Sequence, residues 1–336
     1  MHLLISVPFL ERNGKMKEVR LVTPSLSLNK KDESKIKKVE TYFKSLGYTL
    51  TLGKYVFDKD KTYGCASIEN RVKDLNAAFL DKNIEIILCG NGGYNVNQIL
   101  PYLDYKIIKE NPKIIIGYSD ITILLLAIYK KTYLTTYYGP MLSGFSSGNV
   151  YTLECFEKIL KNEDFYLTSS REIEDYERIK NKTQKITLKN KGMVVLQKGK
   201  ARGKLMGGNL CTLNLLQGTP YMPNLKDCVL FLEDDGDDLA SEVFNLEFDR
   251  NLESLLQSIK GNIKGIVFGR FQVLSEMTLK KLKKCIKNKA KLKIIPIVAG
   301  VDFGHTNPML TLPLGDFCSL EVTDKKINIK IERRKK

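Results

Sequence analysis

The stretch KIIIGYSDITILLLAIY, residues 113–129, decides the fold of this chain. Its apolar run at 113–116 is short and uninterrupted, as is typical of a strand buried inside a parallel sheet. Residues 117–120 form a glycine-containing turn, and the apolar residues 121–129 then continue as a helix. A strand, a sharp turn and a helix in this order predict an α/β layer with a parallel sheet.

The same alternation extends in both directions along the chain. Further strands are predicted at 17–23, 84–88, 228–232, 265–268 and 294–299, and further helices at 33–46, 70–80, 210–216, 240–258 and 279–287. The tail 317–333 alternates apolar and polar residues, which is typical of antiparallel or edge strands. The whole pattern predicts an α/β fold.

A charged stretch without a clear period, residues 162–200, divides the chain. We interpret it either as a solvated connection with a short hairpin or as a loop over the active site. The predicted organisation is an N-terminal extension at 1–15, an N-terminal α/β domain at 16–165, a linker at 166–200 and a C-terminal α/β domain at 201–336.

Composition limits the classes of partner. The net charge of +16 is a feature of proteins that bind nucleic acids or anionic membranes. The lysines are spread along the chain, however, and no arginine-rich block alternates with aromatic residues, so we interpret them as solvated surface charges. No apolar stretch is long enough to span a membrane. Neither nucleic acid nor a membrane is expected as a partner.

The seven cysteines are odd in number and form no C-x-x-C pair. This argues against a disulfide framework and a zinc site, and it favours a reducing cytoplasm. The acidic run at 234–238 misses the spacing of an EF-hand and is typical of a solvated helix start. We therefore expect a cytoplasmic protein without a metal or another cofactor.

Histidine is rare, because the chain contains only His2 and His305. His2 falls in the predicted extension, so a base that works near neutral pH would be His305. His305 follows the predicted strand 294–299, and the carboxyl ends of strands are where open α/β sheets place their sites. The alternative is a hydrogen-bonded histidine with a structural role in a turn.

Ser119 has the surroundings of a nucleophile elbow, in which a turn between a strand and a helix presents a hydroxyl near helix amides. Gly117 matches the first glycine of G-x-S-x-G, whereas Ile121 stands at the position of the last glycine. Taken alone, this context fits a serine that caps a helix better than it fits a nucleophile.

Two further strand ends carry candidate residues. Glu233 ends the predicted strand 228–232, where a carboxylate can accept the second N–H of an imidazole and fix its orientation. The glycine loop 90–94 follows the strand 84–88 and allows close approach of a ligand to the backbone. It is interpreted as a phosphate site, a source of oxyanion-hole N–H groups, or a simple tight turn.

Eight short motifs occur in an order that resembles the LD-carboxypeptidase family, peptidase family S66. They are GGY at 92–94, PKIIIGYSDIT at 112–122, YGPM at 138–141, GGNL at 207–210, GTPY at 218–221, LED at 232–234, GRF at 269–271 and DFGHT at 302–306. The resemblance spans residues 17–320, and so many ordered motifs are far more specific than any one of them.

The resemblance implies a catalytic triad in which Ser119 is the nucleophile, His305 the base and Glu233 the partner of the base. It also implies an N-terminal parallel-sheet α/β domain resembling class I glutamine amidotransferases, joined to a smaller C-terminal α/β domain. The triad would draw on both domains, and homodimers are usual in the family.

An oxyanion hole is also implied by the resemblance. It would use the backbone N–H of Asp120 and an N–H from the glycine loop, at Gly92 or Gly93. Three more residues in matching motifs are candidate substrate-binding residues: Tyr94, Asn209 and Arg270.

The glycine loop separates two subgroups of the family. Muropeptide LD-carboxypeptidases usually carry Arg-Gly-Gly-Tyr-Gly, whereas this chain has Asn91 and Asn95 around the Gly-Gly-Tyr core and looks more like the microcin C immunity proteins. Those proteins cleave the amide joining an aspartyl residue to a nucleotide-like group, and stack the base on aromatic residues that include tryptophan. This chain contains no tryptophan, so Tyr176 or Tyr166 would have to replace it.

These observations predict a cytoplasmic serine carboxypeptidase or amidase that hydrolyses a small peptide or aminoacyl-nucleotide conjugate, as in self-resistance to a toxin. A muropeptide LD-carboxypeptidase of cell-wall recycling is the second candidate. The third candidate is a non-catalytic module that binds an anionic or nucleotide-like ligand, which the positive charge and the missing tryptophan favour.

Overall fold

Two β-sheets organise the chain in the computed structural model, which describes residues 17–179, 182–236 and 240–334. The predicted extension 1–15 lies outside these ranges. The strands are β1 (Lys17–Val22), β2 (Tyr48–Leu52), β3 (Ile84–Cys89), β4 (Ile114–Gly117), β5 (Thr136–Tyr138), β6 (Phe165–Tyr166), β7 (Glu172–Ile179), β8 (Lys182–Lys189), β9 (Val194–Gln197), β10 (Gly199–Asn209), β11 (Cys228–Glu233), β12 (Gly265–Gly269), β13 (Ile297–Val301), β14 (Leu312–Leu314), β15 (Phe317–Val322) and β16 (Ile327–Glu332). The helices are α1 (Glu33–Ser45), α2 (Ile68–Leu80), α3 (Tyr105–Glu110), α4 (Ile121–Thr132), α5 (Leu142–Ser146), α6 (Val150–Lys161), α7 (Leu210–Asn214), α8 (Ser241–Ser258) and α9 (Leu279–Lys287).

The first sheet has the strand order β14-β5-β4-β3-β1-β2. Its strands β1 to β5 run parallel to their neighbours, and β14 pairs antiparallel with β5 at the edge. The central strand β3 is buried at nearly every residue, as expected for a parallel sheet inside an α/β layer. The prediction of a parallel-sheet α/β region in the N-terminal half is confirmed.

The second sheet has the strand order β6-β16-β15-β10-β11-β12-β13-β9. Strands β10 to β13 are parallel, while β15, β16, β6 and β9 pair antiparallel around them. This confirms a second α/β unit and the antiparallel tail. Two strands cross between the halves, because β6 joins the second sheet and β14 joins the first.

Helix α4 lies between the two sheets. It contacts β5 of the first sheet and β10 of the second, and nearly all of its side chains are buried. Its sequence is apolar on every side, which suits a helix enclosed by other elements. Because α4 begins two residues after Ser119, the turn that carries Ser119 is held at the junction of the sheets.

One predicted strand is displaced in the structure. The strand expected at 294–299 is β13, at Ile297–Val301. Pro296 has no backbone N–H to give to a ladder, and Ile294 is 91% exposed, so the sheet begins only after the proline. Strands β2 and β5 were not predicted: β5 has only three residues, and the alternating sequence YTLTL of β2 was overlooked. Within the described ranges, no helix has the length and apolarity needed to cross a bilayer.

Candidate active site

Ser119 sits in a tight turn between β4 and α4, with its backbone in the left-handed region at φ 60°. A non-glycine residue seldom adopts this conformation, and it is often retained at functional sites. The N-cap residue of α4 is Asp120 and not Ser119, and the Asp120 side chain accepts no hydrogen bond from the first turn of the helix. The helix-cap interpretation of Ser119 is therefore wrong, and the turn has the geometry of a nucleophile elbow.

The glycine loop passes directly over Ser119. A Cβ atom added to Gly92 would lie 3.1 Å from Ser119 Oγ, so a side chain there would press on the serine. Gly93 has φ 148° and instead faces Ser25 and Leu26, where an added Cβ would lie 2.6 Å from the Leu26 side chain. Of the two glycines predicted for the oxyanion hole, Gly92 is the one packed against the serine.

Asp120 ties the glycine loop to the start of α4. Its buried carboxylate accepts hydrogen bonds from Ser25 Oγ at 2.5 Å and from the backbone N–H groups of Asn95 and Val96 at 2.9 and 3.1 Å. Burial raises the pKa of this carboxyl, although these bonds oppose the rise. The backbone N–H of Asp120 lies at the helix N-terminus, where amides lack intrahelical acceptors. Its side chain positions the loop, and its amide can face a developing oxyanion.

Glu233, the last residue of β11, is paired with His305, which lies in the loop after β13. The two side chains meet at 2.8 Å between Glu233 Oε2 and His305 Nδ1. Glu233 is fully buried, and its Oε1 accepts a hydrogen bond from the Tyr138 hydroxyl at 2.6 Å. Burial raises the pKa of Glu233, but His305, Tyr138 and Asn209 together outweigh it and lower the pKa below its ordinary value. An ionised Glu233 is suited to orient an imidazole.

His305 also contacts the serine turn and a second carboxylate. The rings of Tyr118 and His305 pack edge to face, with centroids 5.1 Å apart, so the residue next to Ser119 touches the imidazole. His305 Nε2 faces Asp235 Oδ2 at 3.3 Å. From the sequence, Asp235 is interpreted as part of a solvated helix start, so its contact with His305 was not predicted.

Arg270 holds the loop that carries His305. Its guanidinium is buried, pairs with Asp302 at 3.3 Å and donates to the carbonyl oxygen of Pro308, while its backbone N–H donates to Phe303 O at 3.1 Å. Within this loop Gly304 has φ 112°, and an added Cβ would lie 2.9 Å from Glu233 Oε2. These contacts favour a positioning role for Arg270 over the predicted contact with substrate.

The linker hairpin β7–β8 rests on the same loop. Glu174 and Asn307 exchange backbone hydrogen bonds of 2.7 and 3.0 Å, and Asp175 accepts the N–H of Val273 at 2.7 Å. Of the two interpretations of residues 162–200, contact with the His305 loop favours the loop beside the active site. Tyr176 lies on this hairpin and is 47% exposed, whereas Tyr166 lies in β6, which pairs with β16 at the edge of the second sheet.

The other two candidate substrate-binding residues have different surroundings. Asn209 is fully buried and caps α7, accepting from the backbone N–H of Thr212 at 3.1 Å. Its Nδ2 has no hydrogen bond to a described atom, although its amide group helps to lower the pKa of the neighbouring Glu233. Tyr94 is 74% exposed at the tip of the glycine loop. Tyr94 is therefore accessible to a ligand, whereas Asn209 is a buried helix cap that lies opposite Glu233 on the neighbouring strand.

Tyr138 is the functional residue that sequence reasoning missed. It belongs to a recognised motif at 138–141, but its hydroxyl was given no role. The available signal was a tyrosine at the end of a segment rich in threonine and tyrosine, directly before Gly139 and Pro140. Among the described residues, no cluster of histidine, cysteine and acidic side chains has the geometry of a metal site.

Comparison with known proteins gives consistent matches to one family. The model of the LD-carboxypeptidase N-terminal domain matches residues 19–139, and that of the LD-carboxypeptidase C-terminal domain matches residues 202–320. The Bacillus subtilis protein YocD is 41% identical over 321 residues, which cover 94% of this chain and 97% of YocD.

Solved structures of related proteins share the fold. An MccF-like protein from Bacillus anthracis superimposes with a TM-score of 0.88 at 40% identity, covering 95% of this chain and 98% of that one. The microcin C7 self-immunity protein MccF of Escherichia coli is 34% identical over 300 residues, 84% of each chain. A structure of MccF in complex with aspartyl sulfamoyl adenosine matches with a TM-score of 0.78 at 29% identity, covering 95% of this chain and 96% of that one.

Proposed function

The chain belongs to the LD-carboxypeptidase family, and from this premise we propose that it is a serine hydrolase that cleaves an amide bond with Ser119, His305 and Glu233. The observation that carries the proposal is the 2.8 Å contact between Glu233 Oε2 and His305 Nδ1, beside a serine held at φ 60°. A buried carboxylate, an imidazole and a strained serine at converging strand ends form the arrangement that nucleophilic acyl transfer requires.

The first half of the reaction forms an acyl-enzyme. Ser119 Oγ attacks the carbonyl carbon of the substrate while His305 Nε2 accepts the hydroxyl proton. The carbonyl oxygen becomes an oxyanion, which accepts hydrogen bonds from the N–H of Asp120 and an N–H of the glycine loop at Gly92 or Gly93. His305 then gives the proton to the leaving nitrogen, and the carbon–nitrogen bond breaks.

The second half regenerates the enzyme. Water attacks the ester carbonyl and gives a proton to His305 Nε2, and the same proton returns to Ser119 Oγ as the acyl group leaves as a carboxylic acid. Throughout, Glu233 accepts a hydrogen bond from the N–H of His305 Nδ1 and stabilises the imidazolium that forms in each step.

The substrate class that we propose is a small aminoacyl-nucleotide or peptide conjugate. Its support is the related MccF, whose structure contains aspartyl sulfamoyl adenosine, together with Asn91 and Asn95 of the glycine loop. The exposed Tyr176 beside the His305 loop offers a ring for stacking a base in a chain without tryptophan. A homodimer and a cytoplasmic location remain predictions from the sequence.

A turnover screen tests the function and separates the substrates. Purified protein is incubated with an aspartyl-adenylate analogue joined through an amide, and in parallel with a muropeptide tetrapeptide, and products are identified by mass spectrometry. We expect release of aspartate from the analogue by the wild type and not by Ser119→Ala. Release of terminal D-alanine alone would instead establish the muropeptide activity. Binding of either compound without turnover would contradict the proposed enzyme and favour the non-catalytic module.

A further inference from the structure

We propose that Asp235 is a positioning residue whose carboxylate holds His305 in its doubly protonated form in the free enzyme, and that it must leave Nε2 before His305 can accept the Ser119 proton. The inference rests on the proposed function, because it concerns the same imidazole. In this role Asp235 prevents His305 from acting as a base until substrate occupies the site.

The geometry places His305 between two carboxylates. Its Nδ1 lies 2.8 Å from Glu233 Oε2, and its Nε2 lies 3.3 Å from Asp235 Oδ2. A neutral imidazole carries hydrogen on one nitrogen only, so its other nitrogen would point a lone pair at a carboxylate oxygen. The imidazolium donates from both nitrogens, and opposite charges nearby stabilise it. Two flanking carboxylates therefore favour the charged ring.

The charged ring cannot begin the proposed reaction. A general base needs a lone pair on the atom that faces the hydroxyl, and Nε2 of an imidazolium has none. The Asp235 contact also competes for the nitrogen that Ser119 requires. Occupation of the site must therefore separate Asp235 from His305, while Glu233 keeps its contact with Nδ1.

The two carboxylates differ in their burial. The Glu233 side chain is fully buried and is held by Tyr138, whereas the Asp235 side chain is 35% exposed. The backbone around Asp235 is tied on both sides, because its N–H donates to Asp234 Oδ1 at 3.3 Å and the N–H of Gly236 donates to Gln272 Oε1 at 3.0 Å. Rotation of the Asp235 side chain would separate its carboxylate from His305 Nε2 without displacing this backbone.

Other groups near the imidazole do not replace Asp235. The Tyr118 ring, which packs against the imidazole, is uncharged. Asp234 is buried, and burial, with smaller contributions from Glu233 and Asp235, raises its pKa to about 7, so it carries only part of a negative charge near neutral pH. Arg270 contacts the His305 loop, but its guanidinium is paired with Asp302. Glu233 and Asp235 each place a carboxylate oxygen against a ring nitrogen of His305.

Titration of His305 by NMR tests the inference without any substrate. A His2→Gln background leaves His305 as the single histidine of the chain. We expect Asp235→Asn to lower the pKa of His305 by about one unit, because one stabilising negative charge is removed. Asp324→Asn is the matched control, since that carboxylate is 75% exposed and pairs with Lys198. An unchanged His305 pKa in Asp235→Asn would overturn the inference.

The pH dependence of turnover gives a second readout. The acidic limb of kcat/KM reports the free enzyme and that of kcat the substrate complex. Asp235→Asn should move the first limb to lower pH by about one unit and leave the second in place, so that kcat/KM below the wild-type limb rises up to about tenfold. If Asp235→Asn does not fold, Asp235→Ser serves the same comparison. A parallel shift of both limbs, or of neither, would contradict displacement of Asp235 on binding.

The outcomes separate this inference from the proposed function. Full hydrolysis by Ser119→Ala would refute the function, while the His305 titration would still decide whether Asp235 holds the imidazolium. Loss of hydrolysis in Ser119→Ala together with an unchanged His305 titration in Asp235→Asn would keep the function and discard the role of Asp235.

Discussion

Tyr138 donates a 2.6 Å hydrogen bond to Glu233 Oε1, and this bond joins the two sheets of the molecule. Tyr138 ends β5, the neighbour of the strand that leads into Ser119, whereas Glu233 ends β11 of the second sheet. Burial, and then the charge of Glu233, raises the pKa of the phenol well above its ordinary value, so the hydroxyl remains a donor. The bond aligns the serine-bearing half with the half that carries the other proposed catalytic residues.

Replacing Tyr138 with phenylalanine should weaken both stability and turnover. The buried Glu233 Oε1 would lose its donor, which should lower the free energy of unfolding by roughly 1–3 kcal/mol. Urea denaturation measures the loss, and kcat should fall as Glu233 loses its fixed position. Tyr42→Phe is the control, because its hydroxyl lies 3.4 Å from Glu157 in a half-buried pair. Equal losses of stability in the two variants would show that the Tyr138 hydrogen bond stabilises the fold no more than the partly exposed Tyr42 contact does.

Glu233→Gln should lower kcat by about three to four orders of magnitude, because an amide cannot stabilise the imidazolium and can favour the wrong tautomer. The pKa of Glu233 is lowered in the fold, so its ionised form contributes stability that is present above the unfolded pKa of about 4.3. That contribution is lost as the pH falls through the folded pKa. The difference in free energy of unfolding between wild type and Glu233→Gln should therefore decrease as the pH falls below about 4. A difference that increases in acid would contradict an ionised Glu233 in the folded protein.

Arg270→Met separates positioning from substrate binding. Removing one partner of the buried pair leaves Asp302 uncompensated and should reduce stability by roughly 3–5 kcal/mol. If Arg270 holds the His305 loop, kcat should fall while KM changes little, and Arg270→Lys should recover part of the loss. Steady-state kinetics at a temperature where each variant is folded decide between the roles. A large rise in KM at unchanged kcat would restore the original prediction of a substrate contact.

Tyr176→Ala tests the proposed replacement for the missing tryptophan. Loss of one aromatic stacking partner should weaken binding of an adenosine-containing substrate by about 1–3 kcal/mol, seen as a rise in KM or in the dissociation constant. Tyr166→Ala is the matched control, because Tyr166 is similarly exposed but lies in a strand at the edge of the second sheet. Equal effects of the two substitutions, or none from Tyr176→Ala, would remove Tyr176 from the binding site.

The fold was predictable where strands were continuous apolar runs followed by glycine, as at 84–89 and 114–117. Such a run indicates a buried strand, because the central strands of a parallel sheet are covered on both faces. The short edge strand β14 was not predictable, because its three residues pair with β5 from a distant part of the chain. Assignment of a strand to one sheet or the other depends on long-range pairing that local patterns do not encode.

The candidate site was predictable in its residues and less so in its contacts. The rarity of histidine singled out His305, the strand ends made Glu233 and Ser119 candidates, and only the family resemblance favoured Ser119 as a nucleophile over a helix cap. The hydrogen bond from Tyr138 and the contact of Asp235 with His305 were not predictable, because each joins residues from separate elements. Arg270 was recognised by its motif, but only its burial against Asp302 indicates a positioning role.

The central claim is that Ser119 is the nucleophile, and active-site labelling tests it most directly. A fluorophosphonate probe that reacts with activated serines is applied to the wild type and to Ser119→Ala, with Ser146→Ala as a control for a partly exposed serine on α5, and the labelled peptide is mapped by mass spectrometry. We expect one label per chain on Ser119, complete loss of labelling in Ser119→Ala and no change in Ser146→Ala. Labelling of Ser119→Ala at the wild-type rate, or of another residue in the wild type, would contradict it.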